Sequence, residues 1–167
     1  MIKKVLLLSL LIPLCSFIHA QSIYLKSGTY DVSEIEKSNL YFEDDELFED
    51  VAFRIIVFEE LPTSDQKKSL EEAGIILLDY LPRNAFFAAV QNNLGNIDLT
   101  QFAISNIIDV DPTYKTAKEL SSGNIPSWAI LEGQLITVVA KYYNNLEDAK
   151  VLSDLQQKNL IIIDSGI

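Results

Sequence analysis

The middle of the chain divides into apolar runs of strand length and a polar segment of helix length. Residues 53–58 (FRIIVF) form a continuous run of β-branched and aromatic residues, which is typical of a central strand. Residues 64–73 carry apolar positions on one face and charged positions on the other, which predicts an amphipathic helix. We expect Thr63 or Ser64 to cap the start of this helix and Gly74 to end it.

The apolar runs after this helix predict the rest of one folded unit. Residues 75–81 and 85–90 are strand-like and are joined by a Pro-Arg-Asn link, which predicts a hairpin. Residues 98–105 predict a short second helix capped by Asp98, and residues 107–110 predict a fourth strand. The resulting β-α-β-β-α-β order predicts an α+β, ferredoxin-like sandwich, with an antiparallel sheet and two helices on one face.

Part of this pattern recurs near the end of the sequence. The ten residues LEEAGIILLD, which end at Asp79, align with LQQKNLIIID, which end at Asp164. A residue that tolerates left-handed backbone, Gly74 in one segment and Asn159 in the other, falls at the same place in both. The match predicts an internal repeat.

The second copy is predicted to be a partial β-α-β unit. Its strands are expected at residues 135–143 and 160–164, with a helix from about 145 to 158. An aliphatic strand with an unpaired edge tends to aggregate, so we expect the chain to be a fragment of a longer exported protein. The predicted segments are a signal peptide at 1–20, an acidic N-terminal arm at 21–52, the first unit at 53–117, a linker at 118–127 and the incomplete repeat at 128–167.

Residues 1–20 have the pattern of a secretory signal peptide. Lys3 and Lys4 precede an apolar run that is too short to span a bilayer, and a small-residue cleavage site follows. A lipoprotein anchor on Cys15 is the alternative, although Leu14 stands before it where a small residue is expected. We therefore expect a secreted or periplasmic protein, with no membrane contact after cleavage.

Removal of the signal peptide takes away the only Cys, the only His and the only Met of the chain. A mature chain without thiol or imidazole excludes disulfides, Cys or His metal sites and Ser-His-Asp or Cys-His catalysis. The formal charge of −11 becomes −13 without Lys3 and Lys4, which disfavours nucleic acid as a partner. We expect no catalytic, cofactor-binding or metal-binding residue, and no cofactor.

Two further local features carry expectations about the arm and about Trp128. The acidic residues between 43 and 50 suggest that the arm is a solvated linker or docks loosely. A calcium loop would need glycine-turn spacing, which this run lacks. Trp128, which follows the linker, is expected to be a packing anchor.

The stretch FRIIVFEELPTSDQKKSLEEAGIILLDYLPRNAFFAAV at residues 53–90 resembles the pro-domain of secreted subtilisin-like serine proteases, of the fervidolysin and inhibitor-I9 types. Residues 106–115 (NIIDVDPTYK) also resemble these pro-domains, although less closely. Residues 125–130 (IPSWAI), together with the second strand-helix-strand, are similar to a repeat found before some of the catalytic domains. The resemblance implies a chaperone and inhibitor that docks through its sheet on a cognate subtilisin-like catalytic domain, in cis or in trans, with its tail in the cleft. Residues 113–122 are the candidate tail, and this chain alone is not an enzyme.

The end of the sequence has two interpretations. IIIDSGI resembles the strand that presents the catalytic aspartate of subtilisin-like proteases, which would make the chain a truncated peptidase ending at Asp164. The repeat instead matches Asp164 with Asp79, at the end of a pro-domain strand. An exported ferredoxin-like binding or adhesion module unrelated to proteolysis is a further alternative, and a carboxylate enzyme such as a glycosidase is a weaker one.

Overall fold

The computed structural model describes residues 22–25, 27–32, 40–94, 98–132 and 135–165, so the predicted signal peptide lies outside the described residues. Within them the chain is a mixed α/β protein with two antiparallel sheets. The strands are β1 Ser22–Leu25, β2 Gly28–Asp31, β3 Val51–Phe58, β4 Ile75–Leu81, β5 Ala85–Gln91 and β6 Ile104–Asp109. The helices are α1 Ser64–Glu72, α2 Pro112–Lys115, α3 Lys118–Ser121 and α4 Asp148–Gln157, with 3-10 turns at Asp44–Glu46, Leu99–Phe102 and Ser127–Ala129.

The larger sheet has four strands in the order β4-β5-β3-β6, and all neighbouring strands are antiparallel. β3 lies inside the sheet, as its continuous apolar sequence predicts, and Ile55 pairs with Phe87 on one side and Ile108 on the other. β4 and β5 form the predicted hairpin. Its turn holds Arg83 (φ 67°) and Asn84 (φ 61°) in left-handed backbone, a geometry that matches the twist of the two strands.

α1 has the caps that the sequence predicts. Thr63 is the N-cap, because its hydroxyl accepts the backbone N–H of Gln66 at 3.3 Å and its own N–H donates to the Gln66 side chain at 2.9 Å. Gly74 follows the helix with φ 94°, the left-handed conformation that favours glycine. Leu70 is fully buried, which fixes the face of α1 that packs on the sheet.

The helix predicted at residues 98–105 is wrong. Asp98 does cap a turn, but only the 3-10 turn Leu99–Phe102 forms. Ala103 adopts left-handed backbone (φ 50°) and ends the turn, and β6 begins directly afterwards at Ile104. The residues that were expected to complete the helix are therefore used by a longer edge strand.

Both faces of the four-stranded sheet are covered, because side chains alternate between the faces along each strand. On one face the buried cluster under α1 consists of Ile56, Phe58, Leu70, Ile75, Phe86, Ala88, Val90 and Phe102. On the other face Ile23 and Val32, from the β1–β2 hairpin and the residue after it, pack with Ile55, Val57, Leu81, Ala85 and Ile108.

The described residues of the arm predicted at residues 21–52 contribute to both buried clusters of the folded unit, so the expectation of a solvated or loosely docked segment is wrong for them. Ile23 is fully buried on one face of the sheet, and Leu40 and Phe42 pack against the cluster on the other. β3 itself begins at Val51, inside the predicted arm. Apolar residues that precede the acidic run supply these contacts.

The predicted second β-α-β copy is present only in part. α4 (Asp148–Gln157) lies inside the predicted helix and is confirmed. Residues 135–143 and 160–164 contain no strand, and the bridge described there joins Ile136 to Ile130 outside both sheets. A helix satisfies its backbone groups internally, whereas a strand needs a neighbouring strand. The helix of the repeat therefore forms because it needs only nearby residues, whereas the two strands do not form because they need distant partners.

Candidate interaction surfaces

Arg54 places a positive charge inside the sheet, on the α1 face of β3. Its side chain is 5% exposed, and its guanidinium lies 4.7 Å from the centre of the Phe42 ring. One terminal nitrogen lies 2.6 Å from Glu46 Oε1, and the other donates to the carbonyl of Phe53 at 2.9 Å. Nε lies 3.0 Å from Asp109 Oδ1, which is close enough for an ion pair although the two groups are not aligned as a hydrogen bond.

These contacts make Arg54 a structural tie between the acidic arm and the edge strand β6. A buried charge is tolerated only when it is paired, and here the arm and β6 each supply one carboxylate. The pKa of Glu46 is lowered, first by the hydrogen bond from the backbone N–H of Glu43 and then by Arg54. The lone arginine in an apolar strand is the signal in the sequence from which this tie could have been found.

We call the described residues of the range 128–165 the second unit. Tyr143 attaches it to the sheet face opposite α1. Its ring stacks on Phe53, with centres 5.9 Å apart and planes 21° apart, and lies 6.1 Å from the ring of Phe87. Burial, together with the negative charge of Asp79, raises the pKa of Tyr143 to about 12. The hydroxyl therefore stays neutral at ordinary pH, and the residue acts as an aromatic anchor.

Lys150 adds a polar attachment between α4 and the turn before β3. Its Nζ lies 2.7 Å from Glu49 Oε1, in the turn before β3, and 3.1 Å from Glu147 Oε2. The hydrogen bond to Glu49 contributes most to raising the pKa of Lys150. Because these side chains are partly or largely exposed, the ion pair orients α4 more than it stabilises it.

The candidate tail, residues 113–122, has a docked part and an exposed part. The Tyr114 ring lies 4.5 Å from that of Tyr30, and the Ser27 hydroxyl donates to the Tyr114 carbonyl at 3.0 Å. Burial is the main cause of the raised pKa of Tyr114. Every residue from 117 to 124 is exposed, so the chain leaves the folded unit after Tyr114.

The second unit exposes much apolar surface. Trp128, which was expected to be a packing anchor, is 81% exposed, so that prediction is wrong. We call residues 135–143 and 160–164 the two aliphatic segments. Their exposed aliphatic side chains are Leu135, Ile136, Val138, Val139, Leu160, Ile161 and Ile163. Exposed apolar surface on this scale is typical of a contact site.

Asp164 and the acidic side chains of the described ranges are the remaining candidates for a chemical site. Asp164 and Ser165 are exposed, while Gly166 and Ile167 lie outside the described residues, so both interpretations of Asp164 stay predictions. Within the described ranges, no three His, Cys, Asp or Glu side chains are grouped so that they could hold a metal ion. No helix in those ranges has the length and apolarity needed to cross a membrane.

A protein-family model with the description "Domain of unknown function (DUF8729)" matches residues 24–111. The matched range starts within β1 and ends just after β6, so it takes in the hairpin, the arm and the four-stranded sheet but not the second unit. Neither the curated proteins nor the solved structures gave a match to this chain. Since the family model covers more than half of the 167 residues, the chain belongs to the DUF8729 family, a domain of unknown function.

Proposed function

We propose that this chain is the pro-domain portion of an exported subtilisin-like serine peptidase, which assists folding of the catalytic domain, inhibits it and performs no catalysis alone. The resemblance of residues 53–90 to such pro-domains supports the proposal. The strand order β4-β5-β3-β6 supports a ferredoxin-like arrangement, because the two strands that flank α1 are separated by β5. The departure from that fold is the 3-10 turn Leu99–Phe102, which stands where a second helix is expected.

The observation that carries the proposal is the exposed chain that follows the edge strand β6. β6 pairs with β3 on one side and ends the sheet on the other. Three residues later the chain enters α2, and from residue 117 to 124 it is exposed. An edge strand with an exposed extension offers backbone groups to a partner, as in recognition by strand addition. α3 has four residues, too few for a stable isolated helix, so this extension could enter a cleft in extended form.

The structure restricts how such a domain would dock. The β1–β2 hairpin and Tyr143 occupy the sheet face opposite α1, and α1 occupies the other. We therefore assign the contact to the β6 edge and residues 117–124, instead of to an open sheet face. The acidic chain favours a basic surface on the partner.

Inhibition of a protease tests this proposal directly. Residues 21–167 are added to a secreted subtilisin-type protease with a chromogenic peptide substrate, and progress curves are recorded. We expect slow-binding inhibition that Leu120→Asp weakens by about tenfold or more, equal to about 1.4 kcal/mol, because it adds a charge to the exposed extension. Leu61→Asp is the matched control, since Leu61 is exposed in the loop before α1, and it should inhibit as the unmodified chain does.

The same protein preparation gives a second readout. Refolding yield of the acid-denatured catalytic domain is measured with and without residues 21–167, and we expect a higher yield with them. Failure of both inhibition and assisted refolding would reject the pro-domain function.

One observation favours a second candidate, an exported ferredoxin-like protein-binding or adhesion module unrelated to proteolysis. The two aliphatic segments lie outside the range matched by the family model, and seven of their aliphatic side chains are exposed. A chain that leaves subtilisin-type proteases unaffected but binds another exported protein through these segments would support it.

A further inference from the structure

We propose that the two aliphatic segments become strands by pairing with the same segments of a second copy of this chain. Two β-α-β halves, one from each copy, would interleave into a four-stranded antiparallel sheet. This inference does not rest on the proposed function.

The second unit repeats the first in its local structure. α1 ends at Glu72 and α4 ends at Gln157, 85 residues later. Left-handed backbone follows at Gly74 (φ 94°) and at Asn159 (φ 62°), again 85 residues apart. The residue after Asn159 then corresponds to Ile75, the first residue of β4. The second aliphatic segment therefore begins at the position that corresponds to the start of β4 in the first unit.

The strand order of the first unit shows what a β-α-β half lacks. β3 and β4 flank α1 in sequence, yet β5 lies between them in the sheet. In the same way β5 and β6 are consecutive strands, and β3 lies between them. Each half of the unit thus supplies the strand that fills the gap in the other half. One β-α-β half alone has two strands that are not neighbours, so it cannot build a sheet by itself.

Within the described residues the second unit has its helix but no sheet. Its aliphatic segments belong to neither sheet, residues 135–137 form only a short antiparallel bridge to residues 129–131, which the proposed pairing replaces, and Val139 is 87% exposed. Of α4, Val151 is the buried residue. A second copy supplies the identical half, and two identical halves can fill each other's gap about a two-fold axis, the commonest symmetry of homo-oligomers.

Charge permits this pairing in spite of the acidic chain. From residue 135 to 165 the charged residues are Lys141, Lys150 and Lys158 against Glu147, Asp148, Asp154 and Asp164. Three positive and four negative charges give −1, whereas the whole chain carries −11. The repulsion between copies therefore comes mainly from other parts of the molecule, and salt should strengthen the pairing.

The exposed area predicts a weak dimer. With about 100 Å² for a fully exposed aliphatic side chain, the exposed aliphatic residues of the two segments present about 400 Å² in each copy. Two copies would bury about 800 Å² before backbone pairing is counted, close to the roughly 1,000 Å² expected of a specific interface. We therefore expect a dissociation constant in the micromolar range.

Sedimentation equilibrium of residues 21–167 tests the dimer. We expect a monomer–dimer equilibrium between about 1 μM and 1 mM, and a dissociation constant raised at least about tenfold by Val139→Asp or Ile161→Asp. These side chains are exposed in the single chain, so the variants should fold. Leu61→Asp is the control and should leave the equilibrium unchanged. The proposal is overturned if the chain stays monomeric over the whole range, or if neither aspartate variant changes the dissociation constant of the dimer.

Cross-linking tests the arrangement of the strands. The chain without its signal peptide has no cysteine, so single cysteines at residues 137–141 report only on contacts between copies. Neighbouring antiparallel strands bring paired Cα atoms to about 4.5–5.5 Å, within reach of a disulfide. We expect oxidation to link the copies at one or two alternate positions and not at Thr63→Cys. A chain linked at none of them contradicts the arrangement. A monomer that instead binds a subtilisin-type protease through Val139 also overturns it and assigns that surface to the protease.

Discussion

Replacing Arg54 by methionine would separate two roles of this side chain, the space it fills against Phe42 and the charge it places away from water. Methionine keeps most of the volume and removes the charge. Glu46 and Asp109 are 35% and 63% exposed, so both carboxylates regain water when the guanidinium is gone. Because an apolar replacement of a buried ion pair is often close to neutral, we expect Arg54→Met to lower the free energy of unfolding by at most about 1 kcal/mol.

Removing the partners of Arg54 should cost much more than removing Arg54 itself. Glu46→Gln combined with Asp109→Asn leaves a guanidinium that is 5% exposed without a counter-charge. Breaking a buried pair in this way costs about 3 to 5 kcal/mol. The change at Glu46 should not add a capping effect, since an amide oxygen can still accept the N–H of Glu43, which the carboxylate accepts at 2.9 Å.

Urea unfolding of residues 21–167, followed by far-ultraviolet circular dichroism, measures both effects as changes in the midpoint at constant slope. Glu72→Gln is the control, because it breaks an exposed ion pair with Lys68 at 3.7 Å and should cost less than about 0.5 kcal/mol. If Arg54→Met destabilises the protein as much as the double variant does, the unpaired buried charge is not what makes the double variant unstable.

Three further predictions concern pH and backbone strain. The pKa of Glu46 is lower in the folded protein than in the unfolded chain. Its contribution to stability is therefore present above the pKa that Glu46 has when unfolded, and it is lost as pH falls below that value. Urea midpoints should drop less on acidification in Glu46→Gln than in the unmodified chain. The raised pKa of Tyr143, about 12, means that its contribution is present below pH 10 and is lost as pH rises from 10 to 12; tyrosinate absorbance should show a late-titrating group that Tyr143→Phe removes. Gly74→Ala should destabilise by about 1 to 2 kcal/mol in urea, because the residue has φ 94° and the new Cβ would lie 3.2 Å from Gln91 Oε1, whereas Asn159→Gly should be close to neutral.

The elements that the sequence predicts correctly are those with local signals. Thr63 and Gln66 form a reciprocal cap, Gly74 ends the helix, and the Pro-Arg-Asn link makes the hairpin. Each signal acts within a few residues, so no knowledge of the distant chain is needed. The prediction of a second helix failed because Ala103 adopts left-handed backbone. An alanine in the sequence gives no indication of that conformation.

The parts that could not be predicted depend on contacts between distant residues. Leu40 and Phe42 stand beside an acidic run, and only the folded sheet shows that they pack on it. Tyr143 likewise looks like an ordinary strand residue until Phe53 is placed beneath it. The strands expected at residues 135–143 and 160–164 had the right composition, but composition does not say whether a neighbouring strand is present.

The position of β3 has a consequence for synthesis of the chain. Phe58 pairs with Ile104 and Arg54 with Asp109, so one side of β3 stays open until the ribosome has made the residues of β6. A nascent chain that ends before β6 therefore exposes one unpaired edge of the apolar strand β3. Chains with such an unpaired edge tend to aggregate during translation. A holding chaperone that covers this edge until β6 emerges should raise the yield of folded protein.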